Sequence, residues 1–400
     1  MLESKRESYK LMIVAGEASG DTLAAELVHA LREQDTNTHF EFFGATGQKM
    51  RAAGVEDIVS ADHLAITGLV GVGRALPVFW RAFQTLKRTA LARQPDAVIL
   101  VDWPDFNLRL ARALHRRGLK VIYYVSPQLW AWRAHRIRNL RRDADLLLTI
   151  LPFESAWYNA RGLTHVEFVG HPLVGTVQAQ LTRAEFCVRY NLMPDQPIIA
   201  LLPGSRRKEL TRNLPPMLDA AQIILRTHPA AQFVLALAPN RSCEEAATLL
   251  AAKFSTSSSN SPQLSERLRI IEQGTYDALA AADAAAVTSG TATLEAALLN
   301  TPLVVVYKES ALNWHTLGRL INTEHFGLVN LIAEERIATE LMQNDFTGEA
   351  LASELIKLLD ASRNQEMRAQ LHEATAQLGT GGASKRAADA VLSALRKCSA

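Results

Sequence analysis

The chain has 400 residues, with 43 basic and 41 acidic side chains and a net charge of +2, and 48% of it is apolar. That length suits two domains of ordinary size, and the apolar fraction can fill their cores. So even a charge balance gives no general attraction for nucleic acid, and an anionic partner has to be met locally. Three scattered cysteines, Cys187, Cys243 and Cys398, form no CxxC, which argues against a disulfide framework or a zinc knuckle. The opening MLESKRESYK has no apolar signal core, and no stretch approaches the ~20 apolar residues of a spanning helix.

Along the first half, short β-branched runs alternate with helical patterns. Strands are predicted at residues 11–15, 40–44, 97–101, 120–125, 146–151 and 167–169, with amphipathic stretches such as 22–33 and 108–117 between them. The runs are nearly continuous in apolar residues, as in parallel strands covered on both faces. The second half repeats the plan, with strands predicted at 198–202, 232–236, 268–271, 284–288 and 303–307. Residues 172–197 separate the halves, 255–262 read as a polar surface loop, and the last 50 residues read as helical, broken at 379–382. The expectation is an α/β protein of two Rossmann-like domains with a cleft between them: 1–175, 176–365, and terminal helices at 366–400 that pack back on the N-terminal domain. In such sheets ligands collect beyond the carboxyl ends of the strands.

After the first strand comes AGEASGD, residues 15–21, where Gly16 and Gly20 allow a tight turn into a helix starting near Thr22. Its amides suit an oxygen-rich ligand; Ser19 or Asp21 capping the helix explains the same residues. After the third strand comes VDWPDFN, where Asp102 could take a proton from a sugar hydroxyl, or Asp102 or Asp105 could cap the next helix behind Pro104. The segment 126–142 concentrates Trp130, Trp132, Arg133, His135, Arg136, Arg138, Arg141 and Arg142, suited to a phosphorylated amphiphile or to a solvated basic face. Residues 69–93 mix Val78, Phe79, Trp80, Phe83 and Leu86 with Arg74, Arg81, Lys87 and Arg88, fitting either core packing or rest on anionic lipid.

The second half opens with LLPGSRRKEL. Gly204 and Ser205 allow close approach of a diphosphate, and Arg206 can neutralise a departing nucleotide; an exposed basic turn is the plainer alternative. In VTSGTATLEAAL, Ser289, Gly290 and Thr291 leave amides free at a helix start, and Glu295 lies one turn in, within reach of ribose hydroxyls. A capped amphipathic helix is the alternative there. Asp143 and Asp145 form a DxD between a basic helix and a strand and read as structural, as does His171 in its GHP loop. The GxGxxG of dinucleotide sites is absent, which disfavours a dehydrogenase.

Together the segments VAGEASGD (14–21), ITGLV (66–70), VDWPDFN (101–107), YVSPQLWAWR (124–133), LPFE (151–154), FVGHPL (168–173), LLPGSR (201–206), SGTATLE (289–295) and NLIAEE (330–335) resemble the lipid-A-disaccharide synthase family. The resemblance implies a GT-B fold and an inverting transferase. UDP-2,3-diacylglucosamine would be the donor and 2,3-diacylglucosamine 1-phosphate the acceptor, giving a β-1,6-linked disaccharide and UDP with neither cofactor nor metal. It implies a cytoplasmic protein resting on the inner face of the membrane and leaves a homodimer open. It carries a catalytic role to Asp102, donor binding to Arg206, Glu295 and Asn330, and a cleft-facing place to Glu17 and Ser19. We add Arg133 as partner of the acceptor phosphate. Two departures stand out: Gly71 replaces an acidic residue, and Leu328-Val329-Asn330 lacks the proline of the family's LPN. The alternative is another GT-B UDP-N-acetylglucosamine transferase or epimerase; a two-lobed binding protein is disfavoured by the missing signal peptide.

Overall fold

A computed structural model describes residues 8–62, 72–239, 241–256, 262–309 and 324–396. The ITGLV stretch with Gly71, most of the 255–262 loop and Cys398 lie outside the described residues. The chain divides into two compact units, Met1–Val174 with Thr380–Ala400, and Gly175–Gly379.

The first unit holds a seven-stranded parallel sheet. Its strands are β1 (Ser8–Ala15), β2 (His39–Thr46), β3 (Glu56–Ser60), β4 (Ala97–Val101), β5 (Val121–Tyr124), β6 (Leu146–Thr149) and β7 (Val166–Phe168), in the order β3-β2-β1-β4-β5-β6-β7. Successive side chains point to opposite faces. Leu11 and Ile13 of β1 join one core with Leu27 and Leu31 of the helix Ala18–Gln34. Met12 and Val14 join the other, with Leu86 of the helix Val72–Arg93 and Leu110 of the helix Pro104–His115. Both faces are buried, which is why these strands read as unbroken apolar runs.

The second unit has six parallel strands: β8 (Ile198–Leu202), β9 (Gln232–Ala236), β10 (Leu268–Ile271), β11 (Ala284–Thr288), β12 (Leu303–Tyr307) and β13 (Glu340–Met342), ordered β10-β9-β8-β11-β12-β13. Every predicted strand is present. Two were not anticipated, β3 (EDIVS) and β13 (ELM). Both are edge strands, half-exposed and polar, so they lack the apolar run that marks a central strand.

The first helix begins at Ala18, not near Thr22. Gly20 therefore lies inside it, packed against β4, where a Cβ would make an ordinary contact at 3.7 Å from the Val101 carbonyl. Asp21 does not cap that helix either. Its buried carboxylate accepts the Gly47, Lys49 and Met50 amides at 2.8–3.1 Å, capping the short helix Gln48–Ala52.

The last two helices belong to different units. The helix Ala361–Ala376 lies in the second, and the chain then turns through Gly379, Gly381 and Gly382, all at positive φ. The helix Ala383–Arg396 packs on the helix Ala18–Gln34 through Ala387, Val391 and Leu395. Ser384 Oγ donates to Glu26 at 3.0 Å, Arg386 Nε to the Val169 carbonyl at 2.8 Å, and Arg396 pairs with buried Asp35 at 3.3 Å. Truncation after Gly379 uncovers Leu27, Val28 and Leu31. It is expected to lower the calorimetric transition of the first unit by at least about 10 °C and to leave that of the second in place.

Candidate functional site

In each sheet the strand order reverses once, between β1 and β4 and between β8 and β11. Connections leave these neighbouring strands in opposite directions, which opens a crevice at their carboxyl ends. The predicted site residues other than Asn330 and Arg133 follow these four strands.

In the first unit, Asp102 extends β4 by one residue, its amide donating to the Tyr124 carbonyl at 2.9 Å. Its own carbonyl accepts from Asn107 Nδ2 and from the Tyr123 hydroxyl, both at 2.8 Å. These contacts hold an unfavourable backbone: Asp102 and Trp103 have φ of 48° and 51°, and Val125, at the end of β5, has 62°. A β-branched residue in the left-handed region is a genuine outlier, and strain of this kind, of order 1–3 kcal/mol per residue, gathers at functional sites. Gly16 meets Trp103 face on. A Cβ there would stand 2.1 Å from the indole, so the turn after β1 and the turn after β4 close on each other only with glycine at 16. Burial first, and then the negative charge of Glu17, raise the Asp102 carboxyl above its ordinary range, with a hydrogen bond from the Trp103 amide opposing them. Glu17 and Ser19 are exposed beside it.

The WAWR segment is half anchor and half surface. Trp130 Nε1 donates to Glu154 at 3.0 Å, and that buried carboxylate also accepts the Ile150 and Leu151 amides. The buried Tyr158 hydroxyl donates to the Pro127 carbonyl at 2.6 Å. Arg133 stacks on Trp132 at 4.3 Å and pairs with Asp105 at 3.2 Å, a carboxylate it shares with Arg136 at 2.7 Å. Asp143 is buried against Arg142, and Asp145 accepts the Val121 amide, so the DxD is structural. His171 is buried, and burial pushes its pKa down to about 4. On the helix Val72–Arg93, Leu86 is buried and Phe83 packs on the core, while Leu76 and Trp80 stay 58% and 63% exposed.

The second unit holds an open cavity of about 900 Å³ beyond β8 and β11. Gly204, Ser205, Arg206, Ser289, Gly290, Thr291 and Glu295 all line it, so two segments far apart in sequence meet at one cavity. The helix Thr291–Leu298 starts at Gly290 with no side-chain cap, which leaves amides available to an anion. Ser289 is fixed by its hydroxyl, donating to the Phe326 carbonyl at 2.8 Å, and Phe326 in turn donates its amide to Glu340 at 3.0 Å. Burial raises the Glu295 carboxyl.

Asn330 does not line the cavity. It is fully buried, donating to the Ala338 carbonyl and Glu340 and accepting the Ala338 amide at 2.8–2.9 Å. With all these groups spent inside the protein, the side chain ties the turn before β13 to Glu340, the residue that also holds the amide of Phe326.

Two groups of lining residues were not anticipated. Glu209, one turn into the helix Arg207–Thr227, accepts the Ser205 and Arg206 amides at 3.0 and 3.1 Å and pairs with the Arg206 guanidinium at 3.0 Å. Gly204 has φ 111°, and a Cβ added there would stand only 2.6 Å from the Glu209 carboxylate, so a larger residue would displace it. Residues 272–277 form the opposite wall, with Gly274 at φ 85° starting the helix Thr275–Ala281 and Asp277 accepting the Gln180 and Leu181 amides at 2.6 and 2.9 Å. They follow β10, so the strand-end rule reaches them even though EQGTYD matches no familiar motif.

A family model described as Lipid-A-disaccharide synthetase matches residues 11–394. Lipid-A-disaccharide synthase of Geobacter sulfurreducens is 39% identical over 396 residues, covering 98% of this chain and 99% of that one. The protein of the same name from Trichlorobacter lovleyi is 42% identical over 385 residues, covering 96% and 97%. Among solved structures, the S. aureus MnaA–UDP co-structure superposes with a TM-score of 0.61 at 14% identity over 97% of both chains. Acinetobacter baumannii MurG gives 0.56 at 16% identity over 96% and 99%.

Gly204→Ala combines a disfavoured φ with a clash against Glu209. It is expected to destabilise the second unit by about 1–3 kcal/mol, seen as a fall in its melting transition. Gly290→Ala, at φ 149° but with open space around its Cβ, carries strain without the clash and should cost less.

Proposed function

We propose, from the premise that this chain belongs to the lipid-A-disaccharide synthase family, that its two units divide one glycosyl transfer between them. The chain is a glycosyltransferase of lipid A biosynthesis with the GT-B fold. The donor is UDP-2,3-diacylglucosamine, held in the cavity of the second unit. The observation that carries this is the convergence there of free helix-start amides at 290–292, the Arg206 guanidinium and the Glu295 carboxylate. Diphosphate oxygens suit the first two, and ribose hydroxyls suit the third. The UDP bound to a protein of like fold supports the same reading.

The acceptor is 2,3-diacylglucosamine 1-phosphate. Its 6-hydroxyl attacks the anomeric carbon of the donor, the bond to the diphosphate breaks, and UDP leaves. Asp102 takes the hydroxyl proton, while Arg206 and the helix start offset the charge that grows on the leaving group. One displacement inverts an α-linked donor to a β-linked product. Arg133 turns from Asp105 to the acceptor phosphate. Trp80 and Leu76 meet the acyl region of a membrane at its cytoplasmic surface; no helix among the described residues is long and apolar enough to cross one.

The direct test incubates the protein with the two acylated sugars and looks by mass analysis for the disaccharide 1-phosphate and UDP. Turnover of unacylated UDP-N-acetylglucosamine instead would overturn the substrate assignment. Asp102→Asn is expected to lower kcat by about 10²–10⁴-fold with UDP affinity unchanged. The base works ionised, and its pKa is raised, so activity should fall on acidification at a higher pH than for an ordinary aspartate. Glu17→Gln removes the like charge and should move that acid limb of the kcat profile to lower pH. Part of the displacement should remain, because burial is the larger cause.

A further inference from the structure

Lys87, Arg109, Arg112, Arg116 and Arg117 line a groove of about 340 Å³ with Ala113, and no acidic residue is among its walls. The groove lies between the helices Val72–Arg93 and Pro104–His115, which sit side by side on one face of the first sheet. Arg109, Arg112 and Arg116 follow at helical spacing on one side, and Lys87 faces them from the other helix. Among the described residues, none of the five side chains pairs with a carboxylate or donates to a carbonyl, in contrast to Arg93, which pairs with Glu56 at 2.5 Å. The negative end of a helix favours cations within its last turn, which accounts for Arg112, Arg116 and Arg117. It does not reach Arg109 in mid-helix or Lys87 on a different helix. Five like charges converging without a counter-ion repel one another, and an anion in the groove would relieve that repulsion.

On its helix, Lys87 falls within about 20° of Leu76 and 20° of Trp80 at 100° per residue. The exposed apolar pair and the cationic groove thus share one outward face. A free anion would need only the cations. A bilayer with acidic headgroups would use both, the apolar pair entering the headgroup boundary and the groove taking lipid phosphates.

We propose that this groove binds the phosphates of acidic phospholipids and fixes how the first unit lies on a membrane. The choice of occupant rests on the membrane-facing reading of Leu76 and Trp80 above. Cosedimentation with vesicles of phosphatidylcholine, with and without phosphatidylglycerol, tests it on the full chain. The wild type should bind the acidic vesicles more tightly and lose that preference as salt is raised. Arg109→Gln/Arg112→Gln/Arg116→Gln should weaken binding to acidic vesicles by about fivefold per cation, roughly a hundredfold in all. Its melting temperature and its turnover of detergent-dispersed substrate should match the wild type. Leu76→Ser/Trp80→Ser should weaken binding to both kinds of vesicle.

If the wild type binds both vesicles alike and the triple variant changes nothing, the groove assignment fails while the membrane reading stands. If it binds neither, both fail, and the glycosyl-transfer assay is untouched. Saturable binding of inorganic phosphate at matched ionic strength without any preference for acidic vesicles, or tighter binding of duplex DNA than of acidic vesicles, also overturns the lipid assignment.

Discussion

A parallel strand that ends beside its neighbours leaves carbonyl and amide groups that no ladder covers, and buried groups of this kind must find partners. In the second unit one side chain does most of this. Asn213, fully buried, donates to the Pro203 carbonyl and to Thr288 Oγ1 and accepts the Lys308 amide, each at 3.1 Å. It thereby ties together the ends of β8, β11 and β12, and with them the 204–206 and 289–291 loops of the cavity. Asn107 has the matching place in the first unit, donating to the Val101 and Asp102 carbonyls. The strand ends that carry Asp102, Arg206 and Ser289 are held by two buried side-chain amides.

The electrostatics of the two strand-end sites differ. In the second unit the protein supplies its own anion, since the Glu209 carboxylate already occupies the Ser205 and Arg206 amides and steadies the guanidinium. Arg206 is 80% exposed and would otherwise lose rotamer freedom on meeting a ligand. In the first unit the carboxylates are left in mutual repulsion, with Asp102 close to Glu17 and partly desolvated. That arrangement works against stability above the carboxylate range and favours a proton acceptor.

Much of this was legible in the amino-acid order, because buried parallel strands write themselves as apolar runs and Gly-rich turns follow them. The edge strands β3 and β13 escaped because an edge needs no second apolar face. An asparagine that holds a turn and one that holds a ligand look alike in a string of letters, so the three internal hydrogen bonds of Asn330 were not legible in the sequence. Asp21 was read as a local cap, yet its partners lie 26 to 29 residues onward. Glu209 was missed since its significance comes from reaching back over its own helix start into a turn already credited to Gly204 and Arg206.

The return of the helix Ala383–Arg396 to the first unit has a consequence for biogenesis. A ribosome makes residues 1–174 before the second unit, but the groove along the helix Ala18–Gln34 stays open until the helix Ala383–Arg396 emerges. The N-terminal sheet must wait, with Leu27 and Leu31 uncovered, while the whole of the other unit is synthesised and folds. The newborn chain is therefore most vulnerable to aggregation and proteolysis in the interval before its last helix is released, and the order in which the two units mature is set by connectivity instead of by position in the sequence.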